Sequence, residues 1–159
     1  MAKSQSLKSI QQYVSFTLGK EIFAIDVMKI KGVERLSEIT AIPNYPTFIE
    51  GVINLRGEII PIIDLRNRFG MPKTEPTKET RVMLVELKAL TVGLIVDRVF
   101  EVFQLQDNEI GQMPPISKLS VGRRFVKGVA SVREKLIILL DLEVIFSDDE
   151  TEILSQGLT

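Results

Sequence analysis

An all-β fold of two small, related barrels with a few short helices is what the 159-residue sequence predicts. Short runs of β-branched and aromatic residues recur between two-residue turn signals, helical periodicity is scarce, and the second half of the chain repeats part of the first. Residues 13–18 (YVSFTL) and 21–26 (EIFAID) flank Gly19-Lys20 and predict a hairpin. Residues 51–55 (GVINL) and 58–63 (EIIPII) predict another around Arg56-Gly57. The runs 81–87, 90–96, 128–132 and 135–140 supply four more strands. Pro61 cannot donate to a ladder, so its strand belongs at an edge or a bulge.

Helical signals are short: residues 47–50, 65–69 (LRNRF) and 142–146 (LEVIF). Residues 71–80 (MPKTEPTKET) are polar, carry Pro72 and Pro76, and read as a linker. Ser147-Asp148-Asp149-Glu150 reads equally as a capping box opening a last helix or as the start of a frayed acidic tail.

The repeat is specific. Residues 51–69 match 128–146 at an offset of 77 with seven of 19 positions identical, among them Gly51/Gly128, Arg56/Arg133 and Asp64/Asp141. Chance would supply about one or two. The earlier halves align at an offset of 69, and the eight-residue difference falls in an enlarged loop at 107–127. About five strands per repeat then predict two barrels side by side. The chain divides into a flexible segment at 1–12, a first barrel with its linker at 13–80, a second barrel at 81–147 and an acidic tail at 148–159.

Composition bears on chemistry. With neither cysteine nor histidine, the chain lacks thiolate nucleophiles, the commonest general base and the commonest metal ligand. No phosphate loop or dinucleotide fingerprint occurs, so the reading is of a non-enzyme without cofactors or metals. Twenty basic and 21 acidic residues leave a net charge of −1, with no global field for nucleic acid or anionic lipid. Residues 1–12 lack a secretory signal and no stretch approaches the roughly 18 apolar residues of a membrane span. A cytoplasmic protein with protein partners and no direct membrane insertion is expected.

Four groups of residues are candidate sites. The triads Val27/Ile30/Val33 and Val96/Val99/Val102 have a spacing of three, unsuited to a flat strand, so each segment is expected to turn before it extends. They either line opposite walls of a groove for an amphipathic helix or simply pack the barrels together. Arg56 on its hairpin tip beside Gly57 is either an interface anchor or a solvated turn residue. Asp64 and Asp141 each precede a short helix and read as N-caps rather than an acid-base pair. Lys118, Arg123, Arg124 and Lys127 form a basic run that favours a solvated loop over nucleic acid, although a small-barrel nucleic-acid-binding protein stands as the alternative function. A carboxylate-based enzyme ranks third.

Residues 48–64 (FIEGVINLRGEIIPIID), 23–36 (FAIDVMKIKGVERL) and 92–102 (VGLIVDRVFEV) resemble the signature of CheW-like domains, and the likeness covers most of 13–147 as one such domain. The resemblance implies two five-stranded SH3-like barrels. It also implies an adapter that joins the cytoplasmic tip of a chemoreceptor (methyl-accepting chemotaxis protein) to the regulatory domain of the histidine kinase CheA, in receptor arrays at the inner face of the membrane. With no kinase or receiver domain attached, a free-standing coupling protein fits best. By motif position the implied receptor-facing groove includes Ile30, Val33, Val99 and Val102, with Gly51, Arg56 and Gly57 also implicated. One departure stands out: Gly32 takes a place where many relatives carry glutamate, with Glu34 two residues on. A barrel end is implied for the kinase.

Overall fold

Each hairpin folds on a tight turn with backbone in the left-handed region. The central residues are Gly19 (φ 61°), Arg56 and Gly57 (52° and 86°), Lys88 and Ala89 (47° and 67°), and Arg133 and Glu134 (50° and 68°). Such turns match the right-handed twist of the strands they join. The computed structural model describes residues 10–112 and 123–156. In chain order the strands are β1 (Ile10–Leu18), β2 (Glu21–Asp26), β3 (Ile30–Arg35), β4 (Gly51–Leu55), β5 (Glu58–Asp64), β6 (Arg81–Leu87), β7 (Leu90–Val96), β8 (Arg98–Gln106), β9 (Val126–Val132) and β10 (Lys135–Leu140). Helix α1 (Leu65–Arg68) follows β5 and α2 (Asp148–Gln156) ends the described chain.

The strands form two five-stranded sheets, ordered β8-β1-β2-β10-β9 (barrel I) and β3-β6-β7-β5-β4 (barrel II). Each curls toward closure in the same way. Beyond β3, Thr40 exchanges two backbone hydrogen bonds of 2.9 Å with Val52 of β4; beyond β8, Gly111 does so with Val129 of β9, at 2.7 and 2.9 Å. Val52 and Val129 are repeat equivalents, so the two-barrel prediction and its internal symmetry both match the structure.

The contiguous division into 13–80 and 81–147 does not describe the sheets. The opening hairpin of each repeat leaves its own repeat: β1 and β2 join β8–β10, while β6 and β7 join β3–β5. The chain therefore crosses between barrels after β2, through a 3-10 turn at Val27–Lys29, and after β7, at Asp97. Residues 10–12, read as part of a flexible segment, lie in β1 paired with β8; residues 1–9 lie outside the described residues. Residues 47–50 are not helical: 47 and 48 form a turn and 49 and 50 lead into β4 without regular structure. Pro61 sits opposite Val52, one residue before β5 begins its parallel pairing to β7 at Ile62, so it meets no ladder on that side.

Strand alternation sorts the side chains into three apolar clusters. Tyr13, Ala24 and Phe103 point into barrel I, and Ile53, Ile62 and Val82 into barrel II. The largest cluster lies between the barrels and takes Phe16, Phe23, Met83, Leu94 and Phe69. The rings of Phe16, Phe23, Phe69 and Phe125 run through it with centroids 5.9, 5.8 and 5.7 Å apart. Helix α2 docks on the same core through Leu154, which is buried, so 148–156 is an ordered element and not a frayed tail. Its start is the capping box: Glu150 N–H donates to Ser147 Oγ (3.1 Å) and Ser147 N–H to Glu150 Oε1 (2.9 Å).

Candidate functional site

Both triads are built around a bulge in an outer strand. On β3, Ile30 pairs with Val85 and Val33 with Met83; on β8, Val99 pairs with Phe16 and Val102 with Val14. Three residues on one strand thus oppose two on the other, and the register shift falls between Ile30 and Gly32 and at the equivalent place in β8. The extra residue flips the alternation once, which returns side chains three apart to the same face. In β8 the bulge is satisfied by Ser15, whose buried hydroxyl accepts from Glu101 N–H and donates to its carbonyl, both at 3.3 Å.

The inter-barrel core supplies every one of these cross-strand partners, Val85, Met83, Phe16 and Val14. Val27, Ile30 and Val99 are half-buried against it, while Val33 and Val102 stand exposed at 39% and 54%. The two triads therefore rim one apolar cluster. Val96 does not belong with them: it is fully buried in that cluster, because β7 is a central strand covered by the opposite barrel. The expectation for Val96 as a groove residue is corrected to a core role. Met28, at 84% exposure on the 3-10 turn between Val27 and Ile30, adds an apolar side chain that a spacing of three does not mark; its sequence signal is a methionine inside an otherwise matched triad.

Gly51 is buried and contributes no surface. A Cβ there would strike the backbone carbonyl of Thr40, and its φ of 155° disfavours other residues, so glycine is required for the strand bridge that closes barrel II. Its reading as a contact residue is corrected accordingly. Gly57 sits at the exposed hairpin tip with nothing within 4 Å of a notional Cβ, its N–H donating to Asn54 Oδ1 at 2.9 Å. Arg56 is 77% exposed and reaches Glu34 at 3.3 Å. Its repeat equivalent, Arg133, grips Glu101 with both carboxylate oxygens at 2.7 and 2.8 Å. Glu101 aligns with Gly32, so in barrel II the acidic partner has moved two residues along β3, where the contact is longer and single.

Asp64 and Asp141 are N-caps, accepting from Arg66 N–H and Glu143 N–H at 3.0 Å each. Burial pushes the Asp64 carboxyl above its ordinary range, partly offset by that backbone N–H. Of the basic run, Lys118 lies outside the described residues; Lys127 hydrogen-bonds Gln11 and Tyr13, and Arg124 stacks 4.7 Å from the Phe125 ring centroid. Among the described residues no group of three or more acidic side chains is arranged to hold a metal, and no helix is long and apolar enough to cross a membrane.

The architecture of two exchanged barrels around an apolar rim can be set against known proteins. A family model described as the CheW-like domain matches residues 12–150. The chain belongs to the CheW-like domain family. Among similar CheW proteins, a probable chemotaxis protein CheW of Rhizobium etli is 33% identical, with 94% of this chain and 98% of that protein covered. A chemotaxis protein CheW of Klebsiella aerogenes is 34% identical, with 88% of this chain and 84% of that protein covered. The crystal structure of the scaffolding protein TtCheW from Thermoanaerobacter tengcongensis superposes with a TM-score of 0.77 at 40% identity, covering 86% of this chain and 88% of that one. These CheW matches give the nucleic-acid-binding alternative no support.

Proposed function

We propose that this CheW-like chain is a non-enzymatic adapter that couples the cytoplasmic tips of chemoreceptors to the chemotaxis histidine kinase, so that receptor state controls kinase autophosphorylation. The observation that carries the receptor face is the pair of bulged strands, β3 and β8, presenting Ile30, Val33, Val99 and Val102 around one apolar cluster. A helical receptor tip offers a matching apolar stripe. Met28 extends this surface and Arg56, on the β4–β5 tip, offers a planar fork to a carboxylate. The regulatory domain of CheA, a related fold, is assigned to a barrel end. The setting is the cytoplasm, at arrays beneath the membrane.

Control of the kinase requires that the adapter bind its active and inactive assemblies with different free energy. Individually weak contacts suffice in an array, where effective concentration multiplies them. The test is co-sedimentation with a receptor cytoplasmic fragment and the kinase, each alone and together, for the parent and for Val102→Glu. Val102 is exposed in the free protein, so a carboxylate there costs little until a partner excludes water. The variant is expected to fold normally and to lose receptor association. A folded Val102→Glu that pelleted with the receptor like the parent would sink the assignment.

A further inference from the structure

We infer that Arg66 and Asp97 form a latch that sets the angle between the two barrels, and with it the width of the groove between β3 and β8; the consequence for binding rests on the receptor-groove reading above. Asp97 lies where the chain crosses from β7 of barrel II to β8 of barrel I. Its backbone N–H donates to the Thr17 carbonyl at 3.0 Å and its carboxylate accepts from Gly19 N–H at 2.7 Å, both contacts to barrel I. From the other side, Arg66 donates through Nε (2.9 Å) and Nη2 (2.5 Å) to the same carboxylate. Arg66 stands on α1, which continues β5 and packs on β7, so it belongs to barrel II. The Arg66 side chain is 13% exposed and is further fixed by donating Nη1 to the Pro72 carbonyl at 3.1 Å. One carboxylate thereby ties both barrels to the crossover.

The internal repeat supplies a comparison within the same molecule. The equivalent of Asp97 is Met28, whose side chain points to solvent, and the equivalent of Arg66 is Glu143. Here, among the described residues, the side-chain ion pair at the crossover is Lys29 to Glu143, a single contact at 2.7 Å between side chains 41% and 44% exposed. A bidentate, half-buried arginine-carboxylate pair constrains geometry far more than an exposed lysine-glutamate pair. One crossover is therefore clamped and the other is loosely held. Relative motion of the barrels is expected to pivot on the Asp97 side and to be taken up at Val27–Lys29, beside Ile30 and Met28.

The absence of cysteine allows a direct measurement. Spin labels at Glu58→Cys and Lys135→Cys, exposed positions on the hairpins of barrels II and I, report the inter-barrel distance by pulsed electron resonance. Asp97→Ala is expected to broaden and shift the distance distribution, whereas Lys29→Ala leaves it as in the parent. Because only part of the loosened population keeps the binding geometry, Asp97→Ala is also expected to weaken receptor-fragment binding by about three- to tenfold. An unchanged distribution in folded Asp97→Ala overturns the latch, and if Val102→Glu still abolishes binding, the groove reading survives it. Broadening with undiminished receptor binding overturns the link from latch to groove. Should Asp97→Ala fail to fold, Arg66→Lys, which keeps the charge and forfeits the fork, is measured instead. There, broadening in a folded protein supports the latch; an unchanged distribution, or loss of folding again, overturns it.

Discussion

Gly93 and Ala24 occupy equivalent places in β7 and β2, each pointing into a barrel. Barrel I has room for the methyl group of Ala24. Barrel II does not: a Cβ on Gly93 would sit 2.5 Å from Ile62 Cδ1 and 2.7 Å from Val82 Cγ1. Replacing glycine by alanine normally stabilises by about 0.4–1 kcal/mol through the unfolded chain. Overpacking costs about 1–3 kcal/mol and dominates here. Gly93→Ala is thus expected to lower the urea midpoint with little change in slope; an equal or higher midpoint would refute the packing argument. Arg56 is the opposite kind of residue, 77% exposed with one 3.3 Å ion contact. Such pairs contribute about 0–1 kcal/mol, so Arg56→Ala is expected to melt within a few degrees of the parent while losing receptor-dependent kinase activation in a reconstituted mixture.

At the scale of elements, α2 shows how a short acidic segment becomes part of the core. The capping box starts the helix, Arg68 grips Glu150 with two guanidinium nitrogens, and Leu154 enters the inter-barrel cluster at 1% exposure. Leu154→Ala is expected to cost about 2–5 kcal/mol, measured by chemical denaturation; a loss below about 0.5 kcal/mol would mean that α2 is not integral to the fold. The capping box was legible in the sequence, but a frayed tail matched those residues equally well. Only the packing of Leu154 separates the two. The triads were similarly half-legible: their spacing of three marked an irregular strand, yet the bulge responsible is defined by register against β6 and β1, which no local pattern encodes. Gly51 stood out by recurrence with Gly128, but its function as the seat of the Thr40 bridge depends on a segment that returns from beyond β3.

For the whole molecule, the buried ion pairs predict a specific acid response. Burial alone would raise the carboxyls of Asp97 and Glu150, but hydrogen bonds from Arg66 and Gly19 to the first, and from Arg68 and Ser147 to the second, outweigh it and hold both below their ordinary values. The folded protein then binds these protons less readily than the unfolded chain. The stability they contribute is full above the ordinary carboxylate range of about pH 4–5 and is lost as pH falls toward their folded values. Asp64, raised by burial, runs the other way, with its contribution lost as pH rises through its folded value. Net acid destabilisation is expected below about pH 5, with a shallower slope in Asp97→Asn than in the parent. An unaltered slope in that variant would show that Asp97 is not a source of the acid sensitivity.

What depends on neighbours along the chain was legible in the sequence: hairpins from β-branched runs and turn pairs, helix caps at Asp64 and Asp141, and the duplication that implied two like barrels. Its family signature also led to the adapter reading. Long-range packing sets which barrel each opening hairpin joins, that Val96 is core while Val33 and Val102 are surface, and that Asp97 ties one crossover while Lys29 and Glu143 tie the other. The reason is physical. A hairpin satisfies the same local pattern whichever repeat it pairs with, and the choice is made by contacts such as Ser15 with Glu101, 86 residues apart, that exist only once β1 has paired with β8 of the other repeat.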